Sequence, residues 1–298
     1  MNDFYPRTTE NQWLLRHARD INSLSGEDGI IEKIFEVLPP GDKWCVEFGA
    51  WDGIKFSNTR HLISKHGWSA VLIEADSNKF VDLQANCANF PKAHCLNRFV
   101  TFEGEASLES LLKTTLIPKD FDLLSIDIDG NDIHIWDSLK EYTPKVIVIE
   151  FNPTIPSDVD FIQARDMSIN QGNSLLALIR LGKSKNYELV CITDNNAIFV
   201  QSAFFNLFNI ANNGIDQLRP PNHENCPQFY IFQLFDGTFV VGGGGLMPWY
   251  GIPIKQECFQ IVPKIFRHYP SRPKNILKRI LWHMWLFIYL RKAPRSKT

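Results

Sequence analysis

Four short apolar runs in this chain each end at a carboxylate: Lys43–Phe48 (KWCVEF), Ser69–Ala75 (SAVLIEA), Phe121–Asp127 (FDLLSID) and Val146–Phe151 (VIVIEF). Continuous apolar runs of this length are strands covered on both faces, which is the pattern of a parallel sheet. Helical spacing separates them over Ser57–His66, Asn78–Asn89, Ser107–Thr115 and Ile133–Tyr142, with a weaker strand over Ala93–Val100. The alternation predicts an α/β chain with a Rossmann-like, doubly wound, mostly parallel sheet. After a proline-containing loop, 152–172, the stretch NSLLALIRLGKSKN reads as a helix. YELVCITDNNAIFVQ then reads as a hairpin turning at Asp194–Asn196 that adds an antiparallel edge. QFYIFQLFDGTFVVGGGG reads as a second hairpin turning at Asp236–Gly237, with glycines 242–245 as a flexible loop. That glycine run lacks the Lys-Ser/Thr ending of a phosphate loop.

In an open parallel sheet, ligands bind beyond the carboxyl ends of the strands. Here those ends carry Glu47, Glu74, Asp127 with Asp129, and Glu150. The first strand runs into Gly49-Ala50-Trp51-Asp52-Gly53, where Gly49 and Gly53 permit a close backbone approach. Glu74 lies about 20 residues further on, where an acid accepts hydrogen bonds from both ribose hydroxyls of a nucleoside. Asp52 either caps the following helix or faces the ligand. A plain strand-to-helix corner is the bland alternative, and the downstream acids weigh against it. A dinucleotide site wants G-x-G-x-x-G so that pyrophosphate can rest on a helix N-terminus. The turn instead has Trp51 in the second glycine's place beside an acid, which suits a ligand bearing an ammonium and a sulfonium, S-adenosylmethionine.

At these residues the chain resembles class I S-adenosylmethionine-dependent methyltransferases. VEFGAWDG stands as the first motif and IEAD as the second-strand acid. LSGEDGIIEKIF, WDGIKFSNTRHLISKHGWSAVLIEAD, DLLSIDIDGNDIHIWDSL, VIVIEFNP and NSLLALIRLGKSKNYELVCITDNNAIFV resemble the FkbM-type branch, together covering about residues 24 to 201. The resemblance implies a cofactor site in which Glu47, Gly49 and Gly53 shape the methionine end and Glu74 holds the ribose. Glu103 or its neighbours would then lie near the adenine, and Asp127 beside the methyl-bearing end. Trp51 departs from the small residue of glycine-rich versions. Some members hold Mg²⁺ with similarly placed carboxylates and an amide, which here would be Asp127, Asp129, Glu150 and Asn152. The other reading of Asp129–Asp132 is a turn with a helix cap. Asp127, Asp129 and His134 are the candidate catalytic groups, with His61 a further possible base. The implied activity is O-methylation of a hydroxyl on a sugar, glycoconjugate or secondary metabolite. The alternatives are a nicotinamide-dependent oxidoreductase and a non-catalytic cofactor-binding scaffold. Loop 153–171, with Asp158, Asp160, Arg165 and Asp166, is expected to set acceptor specificity.

The expected division is an N-terminal extension, 1–23; the methyltransferase domain, 24–201; an irregular β extension, 202–257; and a basic tail, 258–298, with an amphipathic helix. The last two form a C-terminal α/β appendage. The six cysteines are scattered without a CxxC pair, and no histidines have a ligand-like spacing, which argues against a zinc site or a disulfide framework. With a polar N-terminus, this points to a cytoplasmic protein. No acid follows Glu257, while 10 of the 31 basic residues do, so the preceding chain has 21 bases against 33 acids, a net −12. A body of that sign is a poor candidate for general nucleic-acid binding, and no nucleic-acid partner is expected. Within the tail, NILKRILWHMWLFIYLRK, residues 275–292, is too short to span a bilayer, for which about 20 apolar residues are needed. It is expected either to make peripheral contact with an anionic membrane or to dock on the body or a partner subunit of an oligomer.

Overall fold

A computed structural model describes residues 4–5, 8–219, 230–234, 238–242, 246–247, 252–253, 259–260, 262–267 and 275–292. Two compact units divide the chain, Met1–Cys226 and Pro227–Thr298.

The first unit is built on a seven-stranded sheet in the order β3-β2-β1-β4-β5-β7-β6. Its strands are β1 (Trp44–Phe48), β2 (Ser69–Glu74), β3 (Ala93–Asn97), β4 (Leu123–Ile126), β5 (Val146–Glu150), β6 (Tyr187–Ile192) and β7 (Asn196–Gln201). The first five pair in parallel and β7 runs antiparallel between β5 and β6. This is the doubly wound, mostly parallel arrangement the apolar runs predict. The hairpin differs in one respect: its second strand pairs with β5, so the antiparallel strand lies one place in from the edge. In this interior place Ala197, Ile198, Phe199 and Val200 of β7 are all buried, covered on both faces.

Helices α1 (Glu27–Val37), α2 (Arg60–His66), α3 (Ser77–Cys87), α4 (Leu108–Leu112), α5 (Asp132–Ser138), α6 (Leu175–Ser184) and α7 (Ile215–Leu218) complete this unit. Asp76, Ser107 and Ser174 accept backbone N–H bonds at the starts of α3, α4 and α6, supplying partners that a helix N-terminus otherwise lacks. Helix α2 begins at Arg60 rather than Ser57 because Ser57, Asn58 and Thr59 are all bonded to Glu47. The N-terminal extension belongs to the body. Leu14 and Leu15 are buried, and the Trp13 indole N–H donates to the Phe208 carbonyl at 2.8 Å. Phe208, Ile210 and Leu218 are buried too. The boundary expected at 201 therefore falls at 226.

In the second unit, β8 (Tyr230–Gln233) pairs antiparallel with β9 (Phe239–Gly242), and β10 (Leu246–Met247) with β11 (Ile252–Pro253). The expected turn at Asp236–Gly237 and glycines 243–245 lie outside the described residues. Helix α8 (Ile276–Lys292) packs Trp282 and Trp285 on Phe266 and stacks Trp285 on Tyr289. Ile280, Met284, Phe287 and Ile288 on its remaining surface are exposed. It is therefore apolar on both sides between charged ends, not amphipathic in the sense expected. Among the described residues, no helix is long and apolar enough to cross a membrane.

The tightest approach in the sheet is at Gly49, where φ is +77° and an added Cβ would collide with the Asp127 carbonyl oxygen. Gly49→Ala is expected to destabilise the first unit by at least about 2 kcal/mol. That corresponds to a fall in Tm of roughly 4–8 °C in thermal melts. An unchanged Tm would mean that β1 and β4 do not close on each other here.

Candidate active site

The strand order reverses between β1 and β4, and the carboxyl ends of these strands frame a cavity of about 580 Å³. That is the place and the size expected for a small-molecule site in such a sheet. Register explains how its acids come together. Phe48 pairs with Ile73 and with Ile126, and Ile126 pairs with Ile149. The next residues, Gly49, Glu74, Asp127 and Glu150, therefore form one row on the same face, with Glu47 one pleat below.

Gly49 turns the chain so that Trp51, in the left-handed region at φ +50°, donates its backbone N–H to Glu74 Oε2 at 2.8 Å. Glu74 Oε1 accepts from Asp76 N at 2.7 Å. Each carboxylate oxygen keeps lone-pair capacity toward the cavity that Glu74 lines. The Trp51 ring is half exposed on the wall, under the Lys79 ammonium at 4.7 Å. Glu47 also lines the cavity, but both of its oxygens are engaged by Ser57, Asn58 and Thr59, so it chiefly orders the segment that leads into α2.

Several candidates lie elsewhere. Asp52 accepts from Ile54 N and Lys55 N, closing its own turn, and does not line the cavity. Gly53, at φ +72°, packs against Leu83. Glu103 is displaced because β3 stops at Asn97, which brings Arg98, Phe99 and Val100 to the wall in its place. His134 Nε2 is bonded to the Gln163 carbonyl at 2.9 Å, its ring edge meets Phe102, and it is not on the cavity. Asn152 uses its oxygen on Thr154 and its amide N–H on the Gln171 carbonyl, which leaves it out of the acid group. His61 lies on α2 beside Glu32 and His66, away from the cavity. From loop 153–171, Met167 and Asn170 reach the wall, whereas Asp158, Asp160, Arg165 and Asp166 do not.

Asp127, Asp129 and Glu150 do converge, with ligand oxygens within 4.8 Å of one another. Asp129 sits at φ +58°, in a turn closed by Asp132, which accepts from Ile128 N and Gly130 N. The turn reading of Asp129–Asp132 and the convergence of Asp127 and Asp129 are thus both realised, but the expected helix cap is not, since the N-cap residue of α5, Asn131, makes no side-chain capping bond. Three asparagines at this end were not singled out in the sequence. Asn131, Asn195 and Asn196 line the cavity, and each has a buried side-chain oxygen without a hydrogen-bond partner. The amides of Asn131 and Asn196 are fixed by donation to Asp166 and Ile169 carbonyls and to Glu27 Oε1, so their oxygens remain the free groups. Glu27, at the start of α1, was also missed. It is buried, accepts from Ser25 N, Thr193 and Asn196, and lines the cavity.

The wall thus holds six carboxyl side chains, Glu27, Glu47, Glu74, Asp127, Asp129 and Glu150, against Lys55 and Arg98. Burial, then repulsion from Asp132 and Asp129, pushes Asp127 up to about 8. Burial, then Asp127 and Asp132, pushes Glu150 up to about 10. Acceptors in excess, with acids short of countercharge, can receive a cationic, hydrogen-bond-donating ligand, whose charge would favour their ionised form. The same three converging carboxylates fit the all-oxygen donor set of a hard dication such as Mg²⁺.

A carboxyl raised on folding binds its proton more tightly in the native than in the unfolded chain. Its stabilising contribution is complete below the unfolded carboxylate range near about 4. It is lost as pH rises through that range toward about 8 for Asp127. In EDTA and without ligand, Tm is accordingly expected to fall between pH 6 and 8, and Asp127→Asn is expected to flatten that fall. Identical slopes for both proteins in differential scanning calorimetry would remove Asp127 as its source.

No protein-family model and no curated protein matches the chain. Among solved structures it is similar to the CurJ carbon methyltransferase at 10% identity and a TM-score of 0.40, over 58% of this chain and 52% of that one, about half its length. It is likewise similar to the N-terminal domain of EvdMO1, crystallised in the presence of SAH and D-fucose, at 10% identity and a TM-score of 0.40, over 67% and 99% of the two chains. TrmK of M. capricolum in complex with S-adenosyl-homocysteine matches at 12% identity and a TM-score of 0.35, over 56% and 66%. Similarity this weak carries no argument of its own. What the chain does is a matter for the geometry of its cavity.

Proposed function

We propose that this protein is a methyltransferase whose methyl donor is S-adenosylmethionine. One observation carries the reading: a nucleoside-sized cavity at the switch point of the sheet, walled by carboxylates and orphaned amide oxygens with few cations to balance them. That wall matches a ligand with ribose hydroxyls, an ammonium and a permanent sulfonium. In this reading Glu74 takes the ribose hydroxyls, and Phe99 and Val100 flank the adenine. Gly49 admits the donor to the backbone, and Asp127 lies toward the methyl-bearing end. A nicotinamide dinucleotide fits less well. Helix α2 starts only at Arg60, so no helix N-terminus meets the glycine turn to receive pyrophosphate, and the acids oppose it.

The chemistry proposed is direct transfer: the S–CH₃ bond breaks as a bond from the acceptor oxygen to the methyl carbon forms. The acceptor's proton passes to a carboxylate at the acid cluster, Asp129 or, once the donor's positive charge holds it ionised, Asp127. The protein's share is positioning and exclusion of water. Were Mg²⁺ bound, Asp127, Asp129 and Glu150 would hold it, and it would lower the pKa of the acceptor hydroxyl. The orphaned oxygens of Asn131, Asn195 and Asn196 favour an acceptor rich in hydrogen-bond donors, which supports a hydroxyl of a sugar, glycoconjugate or secondary metabolite. The FkbM-type relationship drawn from the motifs belongs to the same reading.

We also propose that α8 brings the enzyme to an anionic membrane at its cytoplasmic face. Its surface is apolar and aromatic between Lys278–Arg279 and Arg291–Lys292, and no acid lies in the tail to oppose lipid phosphates.

By isothermal titration calorimetry, the full chain is expected to bind S-adenosylmethionine and not NAD. Glu74→Ala should weaken that binding by about 10- to 100-fold, the scale of losing hydrogen bonds to a charged group. Binding of NAD, or donor affinity indifferent to Glu74, defeats the reading; donor binding with no methyl release over a panel of hydroxylated acceptors would leave the scaffold instead. In vesicle flotation, the full chain should rise with anionic but not with zwitterionic liposomes. A chain ending at Pro273 should stay at the bottom, and co-flotation of both would exclude α8 as the anchor.

A further inference from the structure

Away from the cavity, α1 and α2 present three ligating side chains to one point. Glu32 lies on α1 and His61 and His66 lie on α2, with ligand atoms all within 4.8 Å of one another. His66 Nε2 is 3.0 Å from Glu32 Oε1, and His61 Nε2 is 3.6 Å from the same oxygen. Two ligands each about 2.0–2.1 Å from a tetrahedral zinc ion lie about 3.3 Å apart, between these values. The other carboxylate oxygen, Oε2, accepts from the Arg19 guanidinium at 2.5 Å, which fixes the direction in which Oε1 faces the two imidazoles. His61 is 9% exposed, and its Nε2 has no hydrogen-bond partner. A buried imidazole nitrogen left unsatisfied 3.6 Å from a carboxylate is unexplained by the Glu32–His66 hydrogen bond alone.

We propose that Glu32 Oε1, His61 Nε2 and His66 Nε2 form a binding site for a borderline divalent transition metal, Zn²⁺ foremost. Two neutral imidazoles and a carboxylate suit zinc rather than Mg²⁺ or Ca²⁺, which take oxygen ligands. Water completes the sphere, since His66 is exposed at the surface. None of the three residues lines the cavity, so the ion is not one of its cofactors. Its place gives it another effect. Helix α1 carries the cavity residue Glu27 in its first turn, and α2 follows the Ser57–Thr59 segment held by Glu47. An ion shared by the two helices ties both walls together.

The expectation of no zinc site rested on the lack of a CxxC pair and of ligand-like histidine spacing; His61 and His66 are five residues apart, and the third group of this cluster, Glu32, lies 29 residues before His61 in the chain.

The test is zinc titration of the full chain after removal of metal with EDTA, read by calorimetry and by Tm. One equivalent should bind, and saturating zinc should raise Tm by several degrees, as a ligand of the native state does. His66→Ala and Glu32→Gln, both near the surface, should each weaken binding at least about 10-fold and abolish the Tm rise. Asp129→Asn should leave zinc binding unchanged. Absence of stoichiometric binding overturns the proposal. So does affinity insensitive to both His66 and Glu32, or affinity lost in Asp129→Asn, which would put the ion among the cavity acids.

Discussion

The carboxyl edge of this sheet depends on the approach of Gly49 to the carbonyl oxygen of Asp127. Only a residue without Cβ lets β1 and β4 run together to that depth, and the positive φ then turns the chain back over β2. Trp51 N–H meets Glu74 as a result, and Glu74 is locked in place before any ligand arrives. Further along the sheet the β4–β5 register sets Asp127 beside Glu150, with Asp129 in the turn that follows.

Grouping buried acids in this way works against the stability of the empty protein. Asp127 is raised by burial and by Asp132 and Asp129, Glu150 is raised by burial and by Asp127 and Asp132, and three asparagine oxygens nearby lack partners. A core designed only to fold would replace them with apolar side chains. Their presence is a local departure from consistency of the kind that marks a site of function. It also means that a cationic ligand contributes to stability by what it neutralises as well as by what it touches.

Much of this was legible in the sequence because strands buried on both faces leave an unmistakable apolar signature. Each acid that terminates such a run is placed by strand length and register alone, so Glu47, Glu74, Asp127 and Glu150 were readable. Residues placed by loops were not. Glu103 was expected near the adenine from the resemblance alone, and the stop of β3 at Asn97 puts Arg98 and Phe99 on the wall instead. His134 and Asn152 carry site-like chemistry, but backbone carbonyls and a local turn had already claimed them. Glu27 and Asn196 gave no local signal, because what matters in each is the other.

That pair joins residues 169 apart in the chain, and Thr193 reaches the same carboxylate. This part of the cavity wall therefore cannot form in any folding species that lacks the docked β6–β7 hairpin, however complete the first five strands are. Long-range closure of this sort comes late and slowly. A nascent chain emerging from the ribosome would lack this part of the cavity until about two-thirds of its length had been made.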